Sequence, residues 1–201
     1  MSRTWLTSDT HFGHARILEL SGRPFKDTAE MEEVLVENWN SRVEPSDFVY
    51  HLGDFAMHPR DDIPRILSRL NGHLVLIEGN HDHRKTLTNF TERHKRLDYY
   101  HCGAVGPYTQ GVWVHMVHNP ADAKPAPRTP LRDGEGQIVL CGHVHEKWRH
   151  QKRGSTIPAD EVRDHAYRSE AFTADVDFHN VGVDVRGYRP VTLEEILEQD
   201  K

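Results

Sequence analysis

The stretch Trp5-Leu6-Thr7-Ser8-Asp9-Thr10-His11-Phe12-Gly13-His14 places a short apolar run directly before an Asp-x-His pair. The same order, an apolar run followed by polar groups of the kind that bind metals, recurs at four later places. Short apolar runs bounded by turn residues are typical of buried strands. In open α/β sheets, ligands bind beyond the carboxyl ends of the strands. The repeated pattern therefore predicts an α/β fold with one site at the ends of five strands.

Seven residues with nitrogen or oxygen donors follow these runs: Asp9, His11, Asp54, Asn80, His118, His143 and His145. Residues two apart in an extended backbone point the same way, so the two pairs spaced by one residue each present two ligands to one side. Gly53, Gly79 and Gly142 let the backbone turn and approach closely. The set contains no thiolate, which favours Mn, Fe, Co, Ni or Zn in a catalytic centre. Seven ligands are too many for one ion, whereas one bridging carboxylate would give four to each of two ions.

Helical periodicity separates the predicted strands. Residues 31–39 follow a possible cap at Asp27, residues 63–70 form a second apolar stripe, and residues 193–197 follow a capping-box pattern. The order strand, helix, strand, helix, strand is typical of an α/β fold. The later half is richer in strand, and the alternating run Val181–Val185 predicts one more.

Two segments do not fit regular structure. Residues 119–136 hold four prolines, and residues 146–180 are polar with one predicted helix, Pro158–Phe172. Both directly follow predicted ligands, so we expect loop insertions that border the site; the alternative is surface excursions without a role. The chain, residues 1–201, is expected to form a single domain.

The composition of the chain excludes several classes of protein function. The chain has 201 residues, 16 of them histidine, and a net charge of −6, which argues against coating nucleic acid by charge alone. Its two cysteines cannot build a disulfide framework, and no apolar run is long enough to span a membrane. We therefore expect a cytoplasmic protein without membrane contact. No feature of the sequence sets an oligomeric state.

Asp-x-His, Gly-Asp, Gly-Asn-His-Asp, a lone His and Gly-His-x-His follow one another from Asp9 to His145. This ordered set resembles the calcineurin-like metallophosphoesterase family, most of all its small bacterial and phage members. The resemblance implies a double β-sandwich flanked by helices, four layers of α/β structure, and two divalent metal ions, with manganese preferred over Fe, Ni, Co or Zn. It assigns one ion to Asp9, His11, Asp54 and His145, and the other to Asp54, Asn80, His118 and His143.

By the same resemblance, a metal-bridging hydroxide attacks phosphorus. His81 supplies or orients the proton for the leaving group, with Asp82 as its orienting partner. Gly53-Asp54-Phe55 and Gly79-Asn80-His81-Asp82 depart from the serine/threonine phosphatases of the family and match its phosphodiesterases, including those acting on cyclic nucleotides. A diester carries less charge than a monoester and needs fewer cationic contacts. The sequence thus favours a phosphodiesterase for small nucleotide-like diesters.

Several alternatives remain at the level of sequence. The protein could instead be a phosphomonoesterase, a nuclease acting on nucleic-acid ends, or a scaffold that retains the fold without catalysis. His14 either contacts substrate phosphate or caps the following helix. Trp148 and Arg149 either bind substrate or belong to a solvated surface. His115 competes with His118, since strand alternation lets only one of them point inward.

Asn180 and Asp184 lie beyond the last predicted ligand and could support the site. The alternative is a role in a local turn or in strand pairing. Cys141 precedes Gly142 on a predicted buried strand and is expected to be a packed thiol.

Overall fold

Two β-sheets pack face to face, and the interface between them carries the site at one edge. The amino-terminal sheet is parallel, in the order β1 (Thr4–Thr7), β2 (Phe48–His51), β3 (His73–Ile77) and β4 (Leu97–Tyr100). The strands β1, β2 and β3 confirm the three apolar runs predicted in this half, whereas β4 was not predicted. The computed structural model describes residues 2–91, 95–100, 104–109, 112–123, 136–162 and 170–201.

The second sheet is mixed, and its described strands are β5 (Ala104–Thr109), β6 (Val112–Met116), β7 (Gly136–Cys141), β8 (His150–Gln151) and β11 (Asp177–Asn180). These five strands lie in the order β5-β6-β7-β11-β8. The three central strands, β6, β7 and β11, run parallel, and the two edge strands are antiparallel to their neighbours. A separate pair, β9 (Thr156–Ile157) and β10 (Phe172–Thr173), covers the outer side.

In the described part of the chain, five α-helices accompany the sheets: α1 (Ile17–Leu20), α2 (Thr28–Asn40), α3 (Pro59–Leu67), α4 (Arg84–Thr91) and α5 (Leu193–Gln199). The predicted caps are confirmed, because the Asp27 side chain accepts from the backbone N–H of Glu30 and Thr192 forms a capping box with Glu195. The second predicted helix ends at Leu67, three residues early. Among the described residues, no helix has the length and apolarity needed to cross a membrane.

Three apolar clusters hold these layers together. One packs the helices against the outer face of the first sheet, a second fills the space between the sheets, and a third lies on the outer face of the second sheet. The predicted double β-sandwich flanked by helices is confirmed. Its outermost layer over the second sheet consists, in the described residues, of turns and the β9–β10 pair.

The predicted strand Val181–Val185 is wrong. The strand β11 ends at Asn180, and the residues after it form a connection in which Gly182 bridges to Ser8. Val181 packs between the sheets, whereas Val183 packs with the helices on the other face of the first sheet. The alternation therefore reflects two valines that enter different cores.

The predicted helix Pro158–Phe172 is also wrong at both ends. Residues 158–162 form a turn, and Phe172 begins β10, which pairs with β9. Backbone pairing of these strands buries Ile157 in the outer cluster, and this tertiary contact outweighs local helix propensity. Residues 163–169 of this segment, and 124–135 of the loop predicted at 119–136, lie outside the described residues.

Candidate metal centre

Strand ends from both sheets converge at one edge of the sandwich. Asp9 and His11 follow β1, Asp54 follows β2, and Asn80 follows β3. The second sheet contributes His118 after β6 and the pair His143/His145 after β7. All seven predicted ligands therefore lie beyond the carboxyl ends of parallel strands, where the sequence placed them.

Asp54 stands between two imidazoles from different sheets. Its Oδ2 lies 3.4 Å from Nε2 of His11 and 3.5 Å from Nε2 of His118. Close by, Oδ1 of Asp9 is 4.0 Å from Nε2 of His145. Ligand atoms of Asp9, His11 and His145 all lie within 4.8 Å of one another, as do those of Asp9, Asp54 and His118.

Asn80 connects the remaining ligands. Its Oδ1 is 2.9 Å from Nε2 of His118 and 3.0 Å from Nδ1 of His143. His118 contacts both Asp54 and Asn80, whereas His115 lies earlier, on β6, so the structure favours His118 over its competitor. The two groups of ligand atoms have Asp9 in common, and Asp54 contacts His11 of one group and His118 of the other.

The backbone at these ligands is unusual. Six described non-glycine residues have a positive φ, and five of them are predicted ligands: Asp9 (57°), His11 (49°), Asp54 (57°), His143 (71°) and His145 (47°). The extended backbone expected for the two His-containing pairs is therefore wrong, although each pair still faces the site. The left-handed region is costly for residues with a Cβ and is often found at functional sites.

Two glycines allow the strand ends to approach one another. A Cβ on Gly79 would overlap the carboxylate and backbone nitrogen of Asp54. A Cβ on Gly142 would overlap the Ser8 hydroxyl and the carboxylate of Asp9. The close approach that the sequence predicted at these glycines is confirmed.

The electrostatics of the site fit bound divalent cations. Burial raises the pKa of Asp9, whereas at Asp54 the neighbouring His118 and His11 outweigh burial and lower the carboxyl pKa. Burial also holds the pKa of His11 well below its usual range, so this imidazole is neutral. Nε2 of His11 is buried without a hydrogen-bond partner and faces the Asp54 carboxylate. Two buried carboxylates and a neutral imidazole whose Nε2 has no hydrogen-bond partner form a donor set suited to divalent metals.

Asp82 has a different place from the one predicted. Its carboxylate accepts backbone N–H groups from Gly79, Asp54 and Phe55, at 2.9, 2.8 and 3.2 Å. Burial, together with the Asp54 charge, raises the pKa of Asp82 to about 7. The expectation that it orients His81 is wrong, because its oxygens hold the loops that carry Asp54 and Asn80.

His81 and His14 border the ligand groups. The His81 ring packs edge-on against His11 with centroids 5.2 Å apart, and its backbone N–H donates to Asp54. The His14 ring lies 5.2 Å from that of His11 and 5.8 Å from that of His81. Helix α1 has Arg16 at its N-cap position without a side-chain cap, so the capping alternative for His14 is wrong.

Trp148 is not placed to bind substrate. Its side chain is 8% exposed, packs in the outer cluster and donates its indole N–H to Glu161 at 2.9 Å. The 48% exposed side chain of Arg149 lies 4.0 Å from the carboxylate of Asp200. The structure brings neither residue to the ligand groups, because burial of Trp148 turns this segment towards the outer cluster.

Residues beyond 170 complete the surroundings of the site. The Asn180 amide donates to the backbone carbonyls of His145 and Trp148, and its oxygen accepts from Gly182, so it both supports the site and forms a local turn. Asp184 contacts His145 and Arg23. Sequence reasoning missed Arg23, since nothing local marks an arginine whose partner lies 161 positions away.

A third set of potential ligands lies elsewhere, at His150, Asp177 and His179. The two imidazoles stack nearly parallel, with centroids 4.5 Å apart and planes at 4°. Nδ1 of His179 is 2.8 Å from a carboxylate oxygen of Asp200. Since ring faces rather than nitrogens oppose each other, we assign this set to the packing of β8 on β11.

The carboxylates, imidazoles and amide gathered at the strand ends of this double β-sandwich are groups that hold divalent metals in catalytic sites. The family model described as the calcineurin-like phosphoesterase superfamily domain matches residues 3–159. The chain therefore belongs to the calcineurin-like phosphoesterase superfamily, whose members use divalent metals. It is a metal-dependent phosphoester hydrolase.

Several relatives share most of this length. An uncharacterized protein of Methanocaldococcus jannaschii is 30% identical over 200 residues, covering 98% of this chain and 91% of its own. The gene 66 protein of Mycobacterium phage L5 is 29% identical over 168 residues, covering 72% and 78%. The crystal structure of a protein of unknown function from Aquifex aeolicus matches with a TM-score of 0.62 and 26% identity, covering 98% of both chains.

Proposed function

We propose that the protein is a phosphodiesterase that hydrolyses small nucleotide-like diesters, cyclic nucleotides among them, with two divalent ions and preferably manganese. The proposal extends the family assignment to a substrate class and a metal. It rests on the ligand set gathered around Asp54 and on the side chains that border it.

The charge around the ligand groups favours a diester. Among the described residues, the aromatic rings packed against His11 are those of His14, His81 and the predicted ligand His145, and burial lowers the pKa of His14. Arg23 reaches the same loop, but its guanidinium is buried and occupied by Asp184 and by backbone carbonyls. It is therefore not free to bind a second phosphate charge. A monoanionic diester needs less positive charge than a monoester dianion, and this occupied arginine carries the proposal.

The residues of the metal centre would have separate roles in the reaction. Asp9, His11, Asp54 and His145 would hold one ion, and Asp54, Asn80, His118 and His143 the other. Such ions supply an activated water and offset the charge on phosphate oxygens. His81, next to the ligands, would give a proton to the departing oxygen of the substrate. Asp82 holds the loops of Asp54 and Asn80 in place through their backbone.

Matched substrates test the proposal. The metal-free protein is reconstituted in turn with Mn²⁺, Mg²⁺, Ni²⁺ and Zn²⁺ and assayed with bis-p-nitrophenyl phosphate and p-nitrophenyl phosphate. We expect a higher kcat/KM for the diester, highest with Mn²⁺, and turnover of cyclic nucleotides or dinucleotides. Asp54→Asn is the control for contaminating activity and should be inactive.

The other outcomes separate the rival functions. A higher kcat/KM for the monoester would overturn the diester assignment in favour of a phosphomonoesterase. Preferred degradation of DNA or RNA ends, with affinity falling steeply as salt rises, would identify a nuclease.

A further inference from the structure

We propose that Asp184, held in place by Arg23, is the positioning residue for the metal ligand His145. The proposal rests on the metal centre described above and extends it to a residue outside the segment matched by the family model, which ends at residue 159. The carboxyl-terminal part of the chain would then help to build the metal centre rather than only cover the sandwich.

The first step is the ion pair between Arg23 and Asp184. Nε of Arg23 donates to Oδ1 of Asp184 at 2.7 Å, and Nη2 donates to Oδ2 at 3.0 Å. This is a two-bond fork, and the side chains are 0% and 1% exposed. Two parallel bonds to a planar guanidinium fix the orientation of the carboxylate plane, which a single bond would leave free to rotate.

The second step is the link from Arg23 to the ligand loop. Nη2 also donates to the backbone carbonyl of Asp9 at 2.7 Å, and Nη1 donates to that of Thr10 at 3.0 Å. Asp9 and His11 have left-handed backbones on either side of Thr10. Arg23 thus ties the position of Asp184 directly to the loop that carries two ligands.

The third step is the contact with His145. Nδ1 of His145 lies 3.0 Å from Oδ2 of Asp184. A carboxylate that already accepts two guanidinium donors accepts again here, so Nδ1 carries the hydrogen. Nε2 is left with its lone pair on the side of Asp9, whose Oδ1 lies 4.0 Å away. A carboxylate that accepts from the far nitrogen of a metal-binding histidine fixes its tautomer and ring orientation.

The fold contains a matched arrangement without metal ligands. Arg186 donates to Asp200, at 3.0 and 2.6 Å, and Asp200 is 2.8 Å from Nδ1 of His179. This buried Arg–Asp–His set resembles the first in chemistry and burial. A change at Asp200 therefore reports what loss of such a network does to the fold alone.

The experiment measures metal affinity rather than turnover. Metal-free full-length protein is titrated with Mn²⁺ by calorimetry, for the wild type, Asp184→Asn and Asp200→Asn, and urea unfolding is measured without metal. We expect Asp184→Asn to weaken one Mn²⁺ binding event by about 10–100-fold and to leave the other within about threefold. Asp200→Asn should lower stability while retaining both affinities.

Two results would overturn the proposal. If Asp184→Asn bound Mn²⁺ with wild-type affinity, the Arg23–Asp184 pair would serve only to stabilise the fold. If Mn²⁺ affinity fell equally in Asp184→Asn and Asp200→Asn, the cause would be a general loss of stability. Because Mn²⁺ binding is measured without substrate, the test of Asp184 does not depend on whether the protein prefers diesters.

A second variant covers poor folding of Asp184→Asn. Arg23→Lys keeps the charge but cannot make the two-bond fork, so the same binding event should weaken by at least about threefold. Unchanged Mn²⁺ affinity in Arg23→Lys would contradict the positioning role.

Discussion

His51 is a fully buried imidazole in the layer beneath the ligand loops. Its Nε2 is 2.9 Å from Oγ1 of Thr10, and that hydroxyl donates to the carbonyl of Phe55, so Nε2 of His51 is the donor. Nδ1 is buried without a hydrogen-bond partner. Burial lowers the pKa of His51 to about 3, and the folded protein therefore keeps this ring neutral over most of the acid range.

This pKa predicts a loss of stability in acid. In the unfolded chain His51 takes up a proton near pH 6.5, and in the folded chain it does not. The full contribution of His51 to the free energy of unfolding is therefore present above that pH. It declines by about 1.4 kcal/mol per pH unit below it. His51→Gln keeps a donor for Thr10 without a titrating group. Urea unfolding in EDTA should show the wild type losing about 2 kcal/mol more than His51→Gln between pH 7 and pH 5. Equal losses would contradict the assignment.

His81 is predicted to act on the leaving group. His81→Ala should lower kcat about 100-fold or more for a diester with an alkyl leaving group, which needs a proton. The effect should be much smaller for nitrophenolate, which departs without one. Mn²⁺ affinity measured by calorimetry should stay unchanged. Full turnover of the alkyl diester by a metal-loaded variant would exclude His81 as the acid.

At the scale of elements, the strand ends are packed too closely for side chains at two glycines. Gly142→Ala places a methyl group against Ser8 and the Asp9 carboxylate, which should cost about 1–3 kcal/mol and displace a ligand. Gly136→Ala, at the start of β7, which Gly142 follows, would place its Cβ in ordinary van der Waals contact with Val112 at 3.9 Å and is the control. Calorimetric Mn²⁺ binding and urea unfolding should both be impaired in the first variant and retained in the second.

The sequence predicted the elements whose pattern is local. Apolar runs marked β1, β2, β3, β6 and β7, and the caps at Asp27 and Thr192 marked helix starts, because these signals depend on neighbouring residues. The Val181–Val185 run and the Pro158–Phe172 segment were misread, because their conformations depend on which core each side chain enters. The left-handed backbone at the ligands was missed as well, because the spacing of the Asp-x-His and His-x-His pairs was interpreted as extended strand, although aspartate and histidine are enriched at positive φ.

At the scale of the whole molecule, the ligands come from both sheets, and metal binding should stabilise the entire sandwich. Free Mn²⁺ at about 100 times the dissociation constant adds about 2.7 kcal/mol, which raises Tm by about 5–10 °C for a chain of this size. Thermal unfolding with Mn²⁺ and with EDTA measures the difference. Asp54→Asn should abolish most of the shift, and a wild-type shift below about 1 °C would contradict the metal centre.

Long-range partners set the limit of sequence reasoning at this scale. The order of motifs along the chain placed seven ligands at one edge, since parallel strand ends meet there. Arg23 and Asp82 act through backbone groups, so their roles become visible only in three dimensions. The sequence suggested that Asp184 supports the site, but its partners His145 and Arg23 are far away in sequence and were not predicted.

The positive φ angles at five ligands affect how variants at these positions have to be interpreted. The left-handed backbone costs a residue with a Cβ about 1–2 kcal/mol relative to glycine. Replacing His11 with alanine removes the imidazole and keeps this backbone cost, whereas replacing it with glycine removes both. Comparison of the two variants therefore separates loss of the imidazole from relief of the loop backbone.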